Sequence, residues 1–472
     1  MKLASAARGL YFMLATGHPL PMIHHEALYR ALGELRTLLA IAVPLMIAQV
    51  AQMAMGFADT VMVGRVGAAE LAAVGIGLSM WHPLYLFATG ALMAESALIA
   101  RLIGSGRTGH IAALARRARH LAWLFAVPCV LLLRAADTLL FRHLAIDPAI
   151  IPVAQEYLDA LSWGVPGAFL YLAARFATEG LGQTRPVLIA GLSACAANVL
   201  LNWVLIYGHL GFPALGARGC GYATAACLWL EAIGLLYMNR RQTLLRGDAG
   251  DGPGLRELLR LGLPIGCAVF FETAIFAAVA IALGRLGPVA VAAHQIALNT
   301  SGLTFMIPLA LSAAITVRVG RALGAGDLRS ARRSGFTGVA TAGVFMMLSA
   351  CCIALAAEPI AALYTRDTAV ATLAVTLLHL AAAFQVSDGL QVSASGALRG
   401  LHDARATMLI TLLAYWGIGF PFGYALAFHF GYGAPGLWFG LIAGLSCAAV
   451  LLNLRFFHES RRRLAAPQNN PA

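Results

Sequence analysis

Charge is what this 472-residue chain has least of: only 11 % of residues are Asp, Glu, Lys or Arg, against 60 % hydrophobic. A soluble domain carries about 25 % charged residues, so this surface cannot face water, and a mean hydropathy of +0.78 agrees. Other absences narrow the reading further. The eight cysteines form no CxxC pair and mostly lie in or beside apolar runs, which excludes a zinc or disulfide framework and leaves small core residues. There is no HExxH, GxSxG or P-loop, and no segment between apolar runs is long enough for a soluble catalytic domain, so a membrane enzyme is disfavoured. The apolar run over residues 10–15 is too short for a secretory signal, and Pro19 and Pro21 follow at once. Met22 opens a more natural amphipathic lead-in, His25 to Leu39, and is a candidate start.

What is present is a set of long apolar runs. Twelve are centred near Val50, Pro83, Val127, Gly167, Asn198, Leu228, Phe271, Thr304, Phe345, Ala383, Tyr415 and Ala443. At about 20 residues or more they predict transmembrane helices rather than alternating barrel strands. The chain also repeats itself at an offset of 220 residues: Pro44 matches Pro264, Gly64-Arg65 matches Gly284-Arg285, Ala72-Ala73 matches Ala292-Ala293, and Arg101, Gly104 and Gly106 match Arg321, Gly324 and Gly326. Six spans per half give both halves the same orientation, a parallel repeat about an axis along the membrane normal. The predicted organisation is an N-terminal segment 1–37, an N lobe 38–239, a linker 240–256 rich in Gly, Asp and Pro, a C lobe 257–457 and a disordered tail 458–472. The net charge of +12 is a topology signal rather than a nucleic-acid surface. Twenty-six of the 33 Lys and Arg fall on the side holding both termini, and six, Arg142 among them, on the other. That side is expected to be cytoplasmic.

An ionisable group near a bilayer centre costs about 2.5–3.5 kcal/mol on insertion scales, so each one needs a reason. Asp59, Glu95, Glu179, Glu231, Glu272 and Asp388 are such groups. Glu272 interrupts an otherwise apolar run, and its repeat partner is Gln52. Asp388 is flanked by Gln385, Ser387, Gln391, Ser393 and Ser395, a stripe of oxygens suited to Na⁺ or to a proton relay. The alternative is that each acid pairs with an Arg or caps a helix. That alternative is weakest for Glu272 and Asp388, which have no basic residue within two turns. It is stronger for Asp59, and for Glu95, which has Ser96 and Arg101 near; it is favoured for Glu179 beside Arg185. Asn198 and Asn202, and Gln295 and Asn299, are spaced four apart on helix faces, where helix packing and ligand binding are equally open readings. His294 reads as a satisfied structural histidine.

These residues carry a family resemblance. The run Gln49 to Gly64, with Gln52-Met53-Ala54-Met55-Gly56 and Asp59, resembles the first span of multidrug and toxic compound extrusion (MATE) transporters of the NorM-like branch. So do Gly262-Leu263-Pro264 leading to Phe271-Glu272, Ala292-Ala293-His294-Gln295, Glu179-Gly180-Leu181-Gly182 and Leu398-Arg399-Gly400. The resemblance implies an all-α protein of two six-helix lobes that exports cationic or amphipathic drugs in exchange for Na⁺ or H⁺, without a cofactor. It implies a monomer in a bacterial inner membrane. It places the coupling cation at Glu272 and Asp388, with Na⁺ as one candidate, and an N-lobe proton, cation or substrate site at Asp59, Asn198 and Asn202. Ser79, Gln295, Asn299 and Asp367 fall where drug is lined near the outer face. Glu95 and Glu231 lie outside the family pattern. The expected mechanism is a rocking of one lobe against the other. The rivals are a lipid-linked sugar flippase, which wants several Arg inside the N lobe where only Arg175 is found, and a channel, which does not need two lobes.

Overall fold

The computed structural model describes residues 22–136, 148, 150–245 and 254–465. The first 21 residues, Arg142, the linker from 246 to 253 and the tail beyond 465 lie outside the described residues. The N lobe contains α1 (Met22–Gly64), α2 (Ala68–Leu92), α3 (Ala94–Gly104), α4 (Ile111–Arg134), α5 (Ile151–Ser162), α6 (Val165–Gly180), α7 (Arg185–Tyr207) and α8 (Gly216–Asn239). The C lobe contains α9 (Leu255–Gly284), α10 (Pro288–Gly324), α11 (Leu328–Leu355), the short α12 (Ala357–Tyr364), α13 (Thr368–Gly400), α14 (Ala404–Leu412), α15 (Phe420–Phe428) and α16 (Gly433–Ala465).

Among the described residues, ten helical segments are long and apolar enough to cross a bilayer. Two spans lack that signature for local reasons. In α4, Arg116, Arg117 and Arg119 raise the charge. The fourth span is split into α5 and α6 at Trp163-Gly164, where Pro166 cannot donate to the preceding turn. With α2–α3 as one span and α14–α15 as another, joined by a π-helical stretch Leu413–Gly419, the architecture is twelve spans in two six-helix lobes. Two predicted boundaries move. The amphipathic lead-in is the first part of α1, because nothing between His25 and Leu39 breaks a helix. The tail stays helical to Ala465, where Glu459 bonds Arg463 at 2.8 Å and Arg462 at 3.0 Å within one turn.

The 220-residue repeat is present in the packing as well as in the sequence. A Cβ on Gly180 would meet Ile99 and the Ser96 carbonyl; one on Gly400 would meet Val319 and the Thr316 carbonyl, each partner shifted by 220. The lobes join at the arginine-rich end. There Gly104 packs on the Arg321 carbonyl and Gly324 on the Arg101 carbonyl, with no room for a side chain at either. Gly262 abuts the Ala91 carbonyl, and Gly90 abuts Gly266. Such small residues let helix backbones touch. Glu34 on α1 adds an ion pair: Arg318 of α10 donates to it twice, at 2.8 and 2.7 Å, and Ser334 of α11 donates at 2.7 Å. Toward the other end the same helices part. Gly56, Gly75, Gly284 and Gly302 have open space around them, and Met53, Phe57 and Phe270 are exposed. The molecule is a V, closed at the arginine end.

Candidate functional site

In the C lobe, α9 brings Glu272 and α13 brings Asp388 close enough for their charges to interact. Asp388 is buried and Glu272 is half-buried. Gln391, one turn beyond Asp388, faces Glu272, and the charge of Arg399 bears on it from farther along α13. Arg399 itself donates to Ser312 at 2.6 Å. Among the described residues neither acid forms an ion pair. The π-helical stretch supplies Tyr415, whose buried hydroxyl feels both acids and has no hydrogen-bond partner. It also anchors itself on α9, where Trp416 donates to the Phe271 carbonyl at 3.1 Å. The Oε1 atoms of Gln385 and Gln391 are likewise buried and unpartnered. Two neighbouring carboxylates with the Tyr415 hydroxyl and Gln391 beside them can hold a cation or protons.

The predicted oxygen stripe does not form one shell. Gln385 donates to Thr304 of α10 and Ser387 pairs with Ser446 of α16 at 2.7 Å, so both point away toward other helices. Residues on successive positions of a helix face different neighbours, and Gln391 is the one that faces Glu272.

In the N lobe, Asp59 is 7 % exposed and fully bonded. Its Oδ1 accepts from Asn198 at 3.0 Å and Asn202 at 2.6 Å, and its Oδ2 accepts from Thr224 at 3.1 Å. Asn202 also donates to Asn198 at 3.1 Å. The three residues grouped from the sequence thus form one network, which Thr224 completes.

The remaining residues divide. Ser79, Gln295 and Asn299 are exposed on α2 and α10. Asp367 is exposed too and also caps α13, its Oδ1 accepting from Ala369 and Val370 amides at 2.8 and 3.2 Å. Glu179 pairs with Arg175 at 2.6 Å, not with Arg185. Glu95 is buried with both oxygens unpartnered: Ser96 turns to the Met93 carbonyl, and Arg101 to His402. His294 is buried without a hydrogen bond and packs edge-on against Trp438, centroids 5.7 Å apart, so its role is aromatic packing. Sequence reasoning missed Glu34, Tyr171 and Tyr415. The repeat held a signal for Tyr171: Gln52 donates to it at 3.4 Å, and these two are the images of Glu272 and Gln391.

Two six-helix lobes, joined at one end, parted at the other and holding buried carboxylates in each, make a secondary-transporter fold. The chain belongs to the MatE family, whose model matches residues 44–204 and again 264–425, one match per lobe. It is 42 % identical over 444 residues to the multidrug resistance protein PmpM of Pseudomonas aeruginosa, covering 92 % of this chain and 93 % of that one. Its fold is that of the eukaryotic MATE transporter AtDTX14, with a TM-score of 0.84 at 22 % identity, over 92 % of this chain and 98 % of that one. A multidrug resistance MATE transporter in its outward-facing conformation superposes equally well, TM-score 0.84 at 21 % identity, over 92 % and 97 % of the two chains.

Proposed function

We propose that this transporter exports cationic or amphipathic drugs across a bacterial inner membrane, driven by an inward cation, H⁺ or Na⁺, taken up at Glu272 and Asp388. The observation that carries the reading is the pair itself: two acids close enough for their charges to interact, neither in an ion pair among the described residues. An incoming cation neutralises their repulsion and favours a different packing of the C-lobe helices. Drug and ion need only prefer different states of the V to be exchanged. The arginine-rich end is cytoplasmic on this reading, so the cleft opens outward and the exposed Ser79, Gln295 and Asn299 line the drug path. Asp59 with its asparagines supports the N-lobe end of that path. The relative's name, a multidrug resistance protein, supports the substrate class. A flippase would want free basic groups within the N lobe, whereas the buried Arg175 is already bonded to Glu179.

The test is ethidium efflux by proteoliposomes under an imposed Na⁺ gradient and then a pH gradient. Glu272→Gln and Asp388→Asn should each abolish gradient-driven efflux while the protein stays folded. Normal efflux by both variants would refute the assignment, and the gradient that drives the wild type names the ion.

A further inference from the structure

One buried acid remains unused. Glu231 on α8 is 1 % exposed, and neither carboxylate oxygen has a hydrogen-bond partner. The groups facing it are Gln52 of α1, which does not close a hydrogen bond, Tyr85 of α2, and Tyr171 and Arg175 of α6. Cys227 is one turn back on its own helix, with Cys195 of α7 behind it. The only cation in this set is already engaged: Arg175 Nε donates to Glu179 at 2.6 Å, and its guanidinium lies 5.8 Å from the Phe176 ring centroid.

The repeat gives this acid its meaning. Gln52 and Tyr171 in the N lobe are the images of Glu272 and Gln391 in the C lobe, so the N lobe keeps the contact and lacks the charge on α1. Glu231 brings a carboxylate back to that place from a different helix. The C lobe has no counterpart, since the image of Glu231 is a leucine, Leu451 or Leu452 according to register. The acid has changed helices between the two halves while keeping its partner position.

We propose that Glu231 is a proton-exchange site of the N lobe, a third carboxylate of the cycle beside Glu272 and Asp388; this rests on the antiporter reading above. Arg175, Glu179 and Glu231 together are neutral when Glu231 carries a proton and bear one negative charge when it does not. A charged carboxylate this deep, with no donor on either oxygen, costs several kcal/mol, roughly 2–7 for a polar group and more for an ion. In the packing described here Glu231 therefore holds its proton. The proton leaves to water when the lobe repacks and Arg175 shares itself between Glu179 and Glu231. The negative charge left behind draws an organic cation into the N-lobe wall of the cleft, and reprotonation expels it.

The experiment uses the full chain in liposomes with wild type, Glu231→Gln and Glu231→Asp. Infrared spectra recorded at acid and alkaline pH without any gradient read the protonated-carboxyl band. Ethidium efflux against pH reads coupling. Glu231→Gln is nearly isosteric and neutral, so it should fold normally, remove one protonated-carboxyl signal, and lower pH-driven efflux at least tenfold. Glu231→Asp should retain the signal and shift the pH profile. An unchanged band in Glu231→Gln overturns the proposal, and so does a lost band with an unchanged efflux profile, which would mean a stored structural proton. Should Glu272→Gln and Asp388→Asn both transport normally, the antiporter reading fails, while the band at Glu231 still reports whether this carboxyl exchanges a proton.

Discussion

Asp59 and Glu272 lie on corresponding helices at different depths. Asp59 is five residues from the end of α1 at Gly64, and Glu272 is twelve from the end of α9 at Gly284. At 1.5 Å per residue, the C-lobe acid is about 10 Å farther from the open end. Each acid has a neutral image, Val279 for Asp59 and Gln52 for Glu272. The donors around Asp59 are replaced as well. The π-helical stretch adds one residue, so the register beyond it is 221, and Asn198, Asn202 and Thr224 map onto Gly419, Gly423 and Leu445. Gly419 and Gly423 line a small apolar cavity with Val279. One lobe fills this space with a carboxylate and its donors, and the other leaves it greasy. The two halves share their helices but not their charges, so the C-lobe acid sits at mid-depth while the N lobe carries a polar network nearer the far end.

The comparison can be broken at four points. The largest effect is expected for Asp59→Ala, which strands three donors. At about 1–3 kcal/mol for each buried group left unpaired, unfolding in denaturant should move by about 3 kcal/mol or more. Its image Val279→Ala should cost only about 1 kcal/mol, as an average core substitution does. Equal losses in the two would mean the Asp59 network contributes nothing. Glu34→Ala comes next. It removes charge-assisted hydrogen bonds between lobes worth about 1.5–3 kcal/mol, and spin labels on Arg107→Cys and Arg329→Cys should report a broader distance across the arginine end. Gly104→Ala and Gly324→Ala are then expected to behave alike, each overpacking the same seam by about 1–3 kcal/mol. A thermal-shift difference well outside error would break the symmetry inferred at the closed end.

The smallest effect concerns a helix start. Asp327 caps α11 by accepting from the Ser330 amide at 2.9 Å, whereas its N-lobe image Arg107 cannot cap, and α4 begins through a 3₁₀ turn instead. Asp327→Ala should cost about 1 kcal/mol. The hydroxyl and amide of Ser330 hold the Asp327 carboxyl below its ordinary 3.8. A carboxyl depressed on folding stabilises above its unfolded value and loses that contribution as pH falls through the folded one. The stability difference between wild type and Asp327→Ala should therefore begin to shrink as pH falls past about 3.8 and close only below the depressed folded-state value, and a difference unchanged across that fall would exclude the cap.

Much of this was legible in the chain. Matched prolines, glycines and arginines gave the repeat, long apolar runs gave the spans, and isolated acids within them pointed to Glu272, Asp388 and Asp59, because lipid tolerates few unexplained charges. What stayed hidden depends on which helix faces which. Glu34 reads as one more polar residue in an amphipathic lead-in until α1 is laid against α10 and α11. The neighbours of Glu231 come from α1, α2 and α6, separated by up to 179 residues in sequence. The π-helical stretch carries no punctuation, since Gly417 and Gly419 are common in any membrane helix. The cap that Asp367 makes on its own helix, beside the place by the drug path that resemblance gives it, was not read from the chain.

The glycine seam at the arginine end has an electrical consequence. Backbone lies on backbone there, at Gly104 against Arg321 and Gly324 against Arg101, so no side chain fits in the joint. A membrane holding 100 mV stores about 2.3 kcal/mol for every charge that crosses. A gap at this joint would short-circuit that reserve. Bare main chain packed on bare main chain leaves the least room for such a leak.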